Sequence, residues 1–196
     1  MGHRIYRSVR SSRRIMSAGE SKAVMTAEFV EQEYGSAVTS INSTRLPSIF
    51  SLVKFRPGTV NCDVGGGKFD NATTYLRDLD VTNLVYDPYN RSSEHNNQVL
   101  ETLAEVSGAD TTTCSNVLNV IAERSARLTV IKNCKNFLRP GGTAYFTVYE
   151  GNRSGEGKAD AKRDTFQLNR RTEDYVDEIV EVFSNVTRKG KLIIAK

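Results

Sequence analysis

Val60-Asn61-Cys62-Asp63-Val64-Gly65-Gly66-Gly67 decides the reading of this chain. Val60 to Val64 suits a short buried strand, and the three glycines stop it. Glycine at such a point lets the backbone turn sharply into a helix and approach a ligand closely. Asp70 or Asn71 is placed to cap that helix, which the pattern carries to about Asp78. In open α/β sheets, ligands bind outside the carboxyl ends of the strands, where this turn falls. The run departs from G-x-G-x-x-G, so the pyrophosphate-binding logic of that motif is not met.

Downstream, strands and helices alternate. Asn83 to Tyr86 reads as the second strand, stopped by Asp87-Pro88. Ser92 or Ser93 caps a helix whose Val99, Leu100, Leu103 and Val106 form one buried stripe, and Gly108 ends it. Thr111 to Val117 is β-branched and strand-like. A helix from about Ile121 to Leu138 buries Ile121, Leu128, Ile131, Cys134 and Leu138, and Arg139-Pro140-Gly141-Gly142 ends it. Thr143 to Tyr149 is an apolar, aromatic strand, followed by a Gly-rich, charged stretch from Gly151 to Asp164. Thr172 caps a helix with Val176, Ile179, Val180 and Phe183 on its buried face. Lys189-Gly190 joins two final strands as a hairpin. The expected fold is α/β: an open, mostly parallel sheet with helices on both faces and a C-terminal antiparallel hairpin.

Upstream of this domain, residues 58–196, the pattern differs. Residues 1–20 read as a basic tail, with Arg4, Arg7, Arg10, Arg13 and Arg14 all preceding the first acid, Glu20. A phosphate-contacting arm and an organellar transit sequence are the other readings of these arginines. Residues 21–57 form an N-terminal helical segment, with helix-forming composition over 22–34 and a short helix from Pro47 to Lys54. With 196 residues and 38% hydrophobic composition, the chain has room for a real core. No apolar run approaches the ~20 residues needed to span a bilayer. Cys62, Cys114 and Cys134 are odd in number and widely spaced, and His3 and His95 lie far from any cysteine. Neither a metal site nor a disulfide framework is expected, and a reducing, cytoplasmic setting fits.

Asp87 ends the second strand about 20 residues past the glycines, the spacing at which a carboxylate meets a ribose hydroxyl pair. With Asn61 to Gly67, Leu84-Val85-Tyr86-Asp87 and Leu138 to Phe146 taken together, the sequence resembles class I S-adenosylmethionine-dependent methyltransferases. The resemblance implies a Rossmann-like fold and S-adenosyl-L-methionine as cofactor. It implies that Asp63, Gly65, Gly66 and Gly67 hold the methionine part and Asp87 the ribose. The chain departs from that family in one place. Only about two dozen residues separate Asp87 from the Thr111 strand, room for one helix, so the sheet is abbreviated between its second and fourth strands.

Ser115-Asn116-Val117-Leu118-Asn119 follows the Thr111 strand, where the family sets its motif beside the transferred methyl group. Asn116 and Asn119 are candidate positioners, as are Tyr149 and Glu150 after the aromatic strand. The prolines and aromatic of the amino-methylating DNA enzymes are missing, and Cys114 lacks the Pro-Cys context of C5-cytosine enzymes. The run from Ser115 to Ile121 is similar to methyltransferase-like proteins of phages and DNA-modification neighbourhoods. With the N-terminal arginines and a basic group from Arg153 to Arg171, that similarity tilts the expected acceptor toward nucleic acid over a small metabolite. A non-catalytic binding protein on the same fold is the rival expectation. Gly66→Val is expected to abolish cofactor binding in a folded protein.

Overall fold

The computed structural model describes residues 25–35 and 45–196. The arginine series of the tail lies outside them.

Residues 25–35 are irregular rather than helical, none of them fully buried. The helical composition of this stretch loses to backbone ties with the domain, described below. A one-turn helix, α1 (Ile49–Leu52), precedes the first strand, β1 (Thr59–Val64). Then follow α2 (Asn71–Arg77), β2 (Val81–Tyr86), α3 (Ser93–Glu105) and β3 (Ala109–Ser115). α4 (Arg124–Asn136) and β4 (Leu138–Thr147) complete the parallel part. A small hairpin, β5 (Gly157–Asp160) and β6 (Thr165–Leu168), stands outside the main sheet. A 3-10 turn over Thr172–Tyr175 leads into α5 (Val176–Val180), and β7 (Val186–Lys189) and β8 (Leu192–Ala195) end the chain.

The main sheet runs β2-β1-β3-β4-β8-β7. The first four strands are parallel, and β8 is antiparallel to both β4 and β7. Among the described residues β2 is therefore an edge strand: the single helix α3 leads from it to β3, and no described strand lies beyond it. The abbreviation expected from the short spacing after Asp87 is real.

Alternation along β1 sends Cys62 and Val64 to one face and Asn61 and Asp63 to the other. The first face packs with Leu103, Ile131, Phe137 and Phe146 into the larger core, under α3, α4 and α5. The second carries a smaller core of Ile49, Phe50, Ala72 and Leu76 under α1 and α2. Beside it lies a buried polar row. Asn61 donates its amide to Asn83 Oδ1 at 2.8 Å and Thr113 Oγ1 at 3.0 Å, and accepts from the Thr111 hydroxyl at 2.8 Å. Polar groups out of water must be paired, and this row pairs its members across three strands.

Several local expectations change. Arg139-Pro140-Gly141-Gly142 is a bulge inside β4, where the register jumps from Ala109↔Leu138 to Thr111↔Thr143, rather than a turn before the strand. Thr172 lies inside the 3-10 turn with Arg171 at its N-cap, and its hydroxyl points to Glu150. Val106 and Val180 are exposed. Leu128 is only partly buried; its neighbour Arg127 is buried instead, paired at 2.8 Å with the buried Glu178 of α5. No helix among the described residues is long and apolar enough to cross a membrane.

Candidate functional site

The carboxyl ends of β1, β2 and β3 meet at the glycine turn. Gly65 has φ of +75°, a region open mainly to glycine, and a Cβ there would lie 2.5 Å from Val117 Cγ2. Gly66 is demanded by packing instead. A Cβ on it would overlap the Asp63 carboxylate and stand 3.0 Å from Val85 Cγ1. The requirement for glycine at 66 thus comes from the protein itself, so Gly66→Val strains the fold before any ligand is considered.

Asp87 follows β2 and is buried. Its Oδ2 accepts the Gly67 N–H at 2.8 Å, and its Oδ1 accepts the N–H groups of Tyr89 and Asn90, each at 3.0 Å. The Asn90 side-chain amide lies on both oxygens, at 3.2 and 3.1 Å. The Asp87 backbone is held by Asn96, whose amide oxygen accepts its N–H at 2.9 Å and whose amide nitrogen donates to its carbonyl at 3.1 Å. Arg91 joins the two turns, donating to Gly67 O at 2.7 Å and pairing with Asp70 at 2.7 Å. Asp70 therefore serves an ion pair; its side chain makes no capping bond at the start of α2.

Asp63 is 2% exposed, and the Thr113 hydroxyl donates to its Oδ1 at 2.8 Å. Burial pushes its carboxyl up to about 7, with the Thr113 hydrogen bond opposing, Asp87 adding and Arg91 opposing.

Two cavities flank the glycine turn and share Gly65 and Asn116 in their walls. One, of about 80 Å³, lies between Tyr86 to Asn90, the residues 116–133 side of the sheet, and the segment 28–35. Its walls include Val64, Pro88, Val117, Ile121 and Val130, and it is predominantly apolar. The other, of about 260 Å³, is more polar, with Asp63, Asn71, Ser115 and Asn116 beside Leu46 and Phe69. Asn116 has φ of +57°, a left-handed conformation that asparagine tolerates better than most residues. Its N–H donates to Thr147 O at 2.8 Å, which fixes it at the strand ends.

The sequence candidates thus divide. Asp63, Gly65, Gly66, Gly67, Asp87 and Asn116 converge on the turn. Asn119, Tyr149 and Glu150 line neither cavity. Asn119 is buried, donating to Gln167 Oε1 at 3.2 Å and accepting the Tyr149 N–H at 3.3 Å, so it ties β6 to the end of β4. Tyr149 is 62% exposed. Glu150 accepts the N–H and hydroxyl of Thr172 at 2.9 and 2.8 Å and pairs with Arg153 at 2.7 Å. The two Thr172 bonds, then Arg153, hold its carboxyl down at about 2. It is an anchor for the chain after β4. Cys62, Cys114 and Cys134 are buried, and burial pushes the thiols of Cys62 and Cys134 up.

Asn90, Arg91 and Asn96 carry no sequence signal of their own, and Asp87-Pro88-Tyr89 resembles an amino-methylating motif but follows the wrong strand for it. Tyr89 had a local signal, since an Asp that opens a turn accepts the N–H two residues on. Segment 28–35 had none.

No protein-family model and no curated protein matches the chain. Solved structures do. One is the 1,6-didemethyltoxoflavin-N1-methyltransferase of Burkholderia thailandensis, solved with 1,6-didemethyltoxoflavin and S-adenosylhomocysteine, at 15% identity and a TM-score of 0.52 over 71% of each chain. Another is human N-acetylserotonin methyltransferase with S-adenosylmethionine, at 14% identity and a TM-score of 0.52, over 76% of this chain and 50% of that one. At such identities the likeness is one of architecture: the chain has the Rossmann-like α/β fold on which S-adenosylmethionine-dependent methyltransferases are built.

Proposed function

We propose that this protein transfers a methyl group from S-adenosylmethionine to an acceptor nucleophile. One observation carries the reading: the glycine turn is a common wall between an apolar and a polar cavity, with a buried carboxylate on each side. The apolar cavity suits a nucleoside and the polar one a charged amino-acid end. Asp87 is the ribose ligand, and the Asn90 amide, which bridges both its oxygens, is the donor that yields to ribose hydroxyls. Asp63 faces the cationic end, where an ammonium group stabilises its ionised form.

The cofactor supplies a methyl group on a sulfonium, already a good leaving group. What the protein must add is alignment and exclusion of water, and an obvious base need not exist. Asn116, on the wall shared by both cavities, is the proposed positioner. Asn119, Tyr149 and Glu150 act on the reaction only through the loop they hold.

For the acceptor, the charge pairing after β4 favours a small molecule. Within the basic group after β4, Arg153, Arg163, Arg170 and Arg171 each face a carboxylate, of Glu150, Asp160, Glu178 and Glu173. Cations already paired are poor seats for phosphates. The expectation of nucleic acid then rests on the group's lysines, Lys158 and Lys162, and on the arginines of the tail. Calorimetry with S-adenosylmethionine, S-adenosylhomocysteine and NAD tests the cofactor: binding of the first two and not the third is expected, and the reverse overturns the reading. Titration with single- and double-stranded DNA and RNA at two salt concentrations tests the acceptor class. Binding near physiological salt that weakens steeply with added salt would restore the nucleic-acid reading.

A further inference from the structure

We propose that residues 28–35 are a strap that forms the outer wall of the nucleoside site, between the turn after β2 and α4, and that Phe29 contacts the base. The inference rests on the methyl-transfer reading, and it concerns how the ligand enters and what holds its ring.

The strap crosses the mouth of the apolar cavity and is tied mainly at its backbone. Glu28 exchanges its N–H and carbonyl with the Asn133 amide, at 2.9 and 2.7 Å. The Gln32 N–H donates to the Tyr89 hydroxyl at 3.1 Å. The N–H of Glu33 reaches Glu123 and that of Gly35 reaches Asp164, at 2.8 and 3.0 Å. Tyr89 also donates its own N–H to Asp87, so one residue joins the strap to the ribose carboxylate.

These ties hold the strap without sealing it. No residue from 25 to 35 is fully buried, and a segment with few buried apolar contacts opens at small cost. The tie at Glu33 leaves Glu123 Oε2 buried without a partner among the described residues. Beneath the strap the cavity measures about 80 Å³, against the roughly 300–1,000 Å³ of pockets that hold drug-sized ligands. A nucleoside therefore requires the strap to lift and reseat. Phe29 lines this cavity yet is 59% exposed, its ring 5.7 Å from that of Tyr89 and tilted by 39°. An aromatic ring left open at a cavity mouth is a surface that a purine covers.

The test uses the full chain with S-adenosylhomocysteine and adenosine as probes. Phe29→Ala is expected to weaken both by roughly five- to a hundredfold, the range for loss of one base–aromatic contact. Its melting temperature stays that of the wild type, because the side chain is exposed. Saturating S-adenosylhomocysteine is expected to slow amide hydrogen exchange across 28–35 in the wild type. Unchanged exchange there, with the ligand demonstrably bound, overturns the strap and leaves methyl transfer standing. A wild type that binds neither probe overturns both.

Discussion

Asp63 and Glu150 both stand at the carboxyl edge of the sheet, one at the end of β1 and the other just past β4. Both are buried, and their surroundings are opposite. Glu150 collects two hydrogen bonds from Thr172 and an ion pair from Arg153, which more than offset its loss of water. Asp63 has the Thr113 hydroxyl and, from farther off, Arg91, which do not. Glu150, paired on every side, holds the fold. Asp63, left short of partners beside a cavity, is suited to a group that brings a positive charge. The difference separates the end of the sheet that binds from the end that braces.

Asp87→Ala should have the largest effect. It removes the shared acceptor of the Gly67, Tyr89 and Asn90 N–H groups, each costing about 1–3 kcal/mol if left buried and unpaired. Cofactor affinity should fall at least tenfold in calorimetry, with a lower denaturation midpoint. An unchanged affinity in a folded variant would reduce Asp87 to a turn residue and erase the contrast between the two ends.

Gly66→Val comes next. Its branched side chain meets Asp63 and Val85, and overpacking of this kind costs about 1–3 kcal/mol. Chemical denaturation should show that loss in the absence of any ligand, alongside lost cofactor binding. Wild-type stability combined with lost binding would return the glycine requirement to the ligand.

Glu150→Gln should lower the melting temperature by a few degrees and leave cofactor affinity unchanged. Its pH signature has a definite sign. The folded carboxyl sits at about 2, below its ordinary range, so its contribution is complete above the unfolded value and is lost as pH falls toward 2. The glutamine variant should lack that acid-side loss. If it instead weakens cofactor binding as strongly as Asp87→Ala, Glu150 belongs to the binding end.

Asp63→Asn should give the smallest change in stability, with the opposite sign. The folded carboxyl is raised to about 7, so the folded state holds a proton that the unfolded state has released. Wild-type stability should therefore decline as pH rises from about 4 to about 7, and the variant should be flat across that window. A ligand ammonium favours the ionised form, so cofactor affinity should rise with pH over the same range and level off above it. Calorimetry in buffers of differing ionisation enthalpy reads the proton released. No release at pH 6 would separate Asp63 from the cation.

Of the candidate site, the parts legible in the sequence were those built from neighbours in the chain. Strand, acid and glycines in one run, and an Asp-Pro at the next strand end, set the turn and Asp87 within a few residues of each other's geometry. Glu150 had the same local credentials: an acid just after an aromatic strand at the correct edge. What sets it apart is Thr172, a residue expected to cap a helix and found donating to a carboxylate 22 positions away. Arg127, beside the expected apolar stripe of α4, is buried because Glu178 comes 51 positions later to meet it. Residues 22–34 carried helix-forming composition, yet residues 25–35 are non-helical, since ties to Asn133, 105 positions on, and to Asp164, 129 positions on, replace the bonds a helix would have made.

By itself, then, the sequence determined the alternation of strands and helices, the short path from β2 to β3 that makes β2 an edge, and the glycine turn with its acids. Periodicity, caps and backbone freedom are local properties, written in adjacent residues. Only the tertiary structure decided which buried carboxylates are satisfied and which are left short, and that residues 28–35 line the apolar cavity beside the glycine turn. Those outcomes depend on burial and on partners distant in the chain, and a charge's behaviour out of water follows from the groups that surround it.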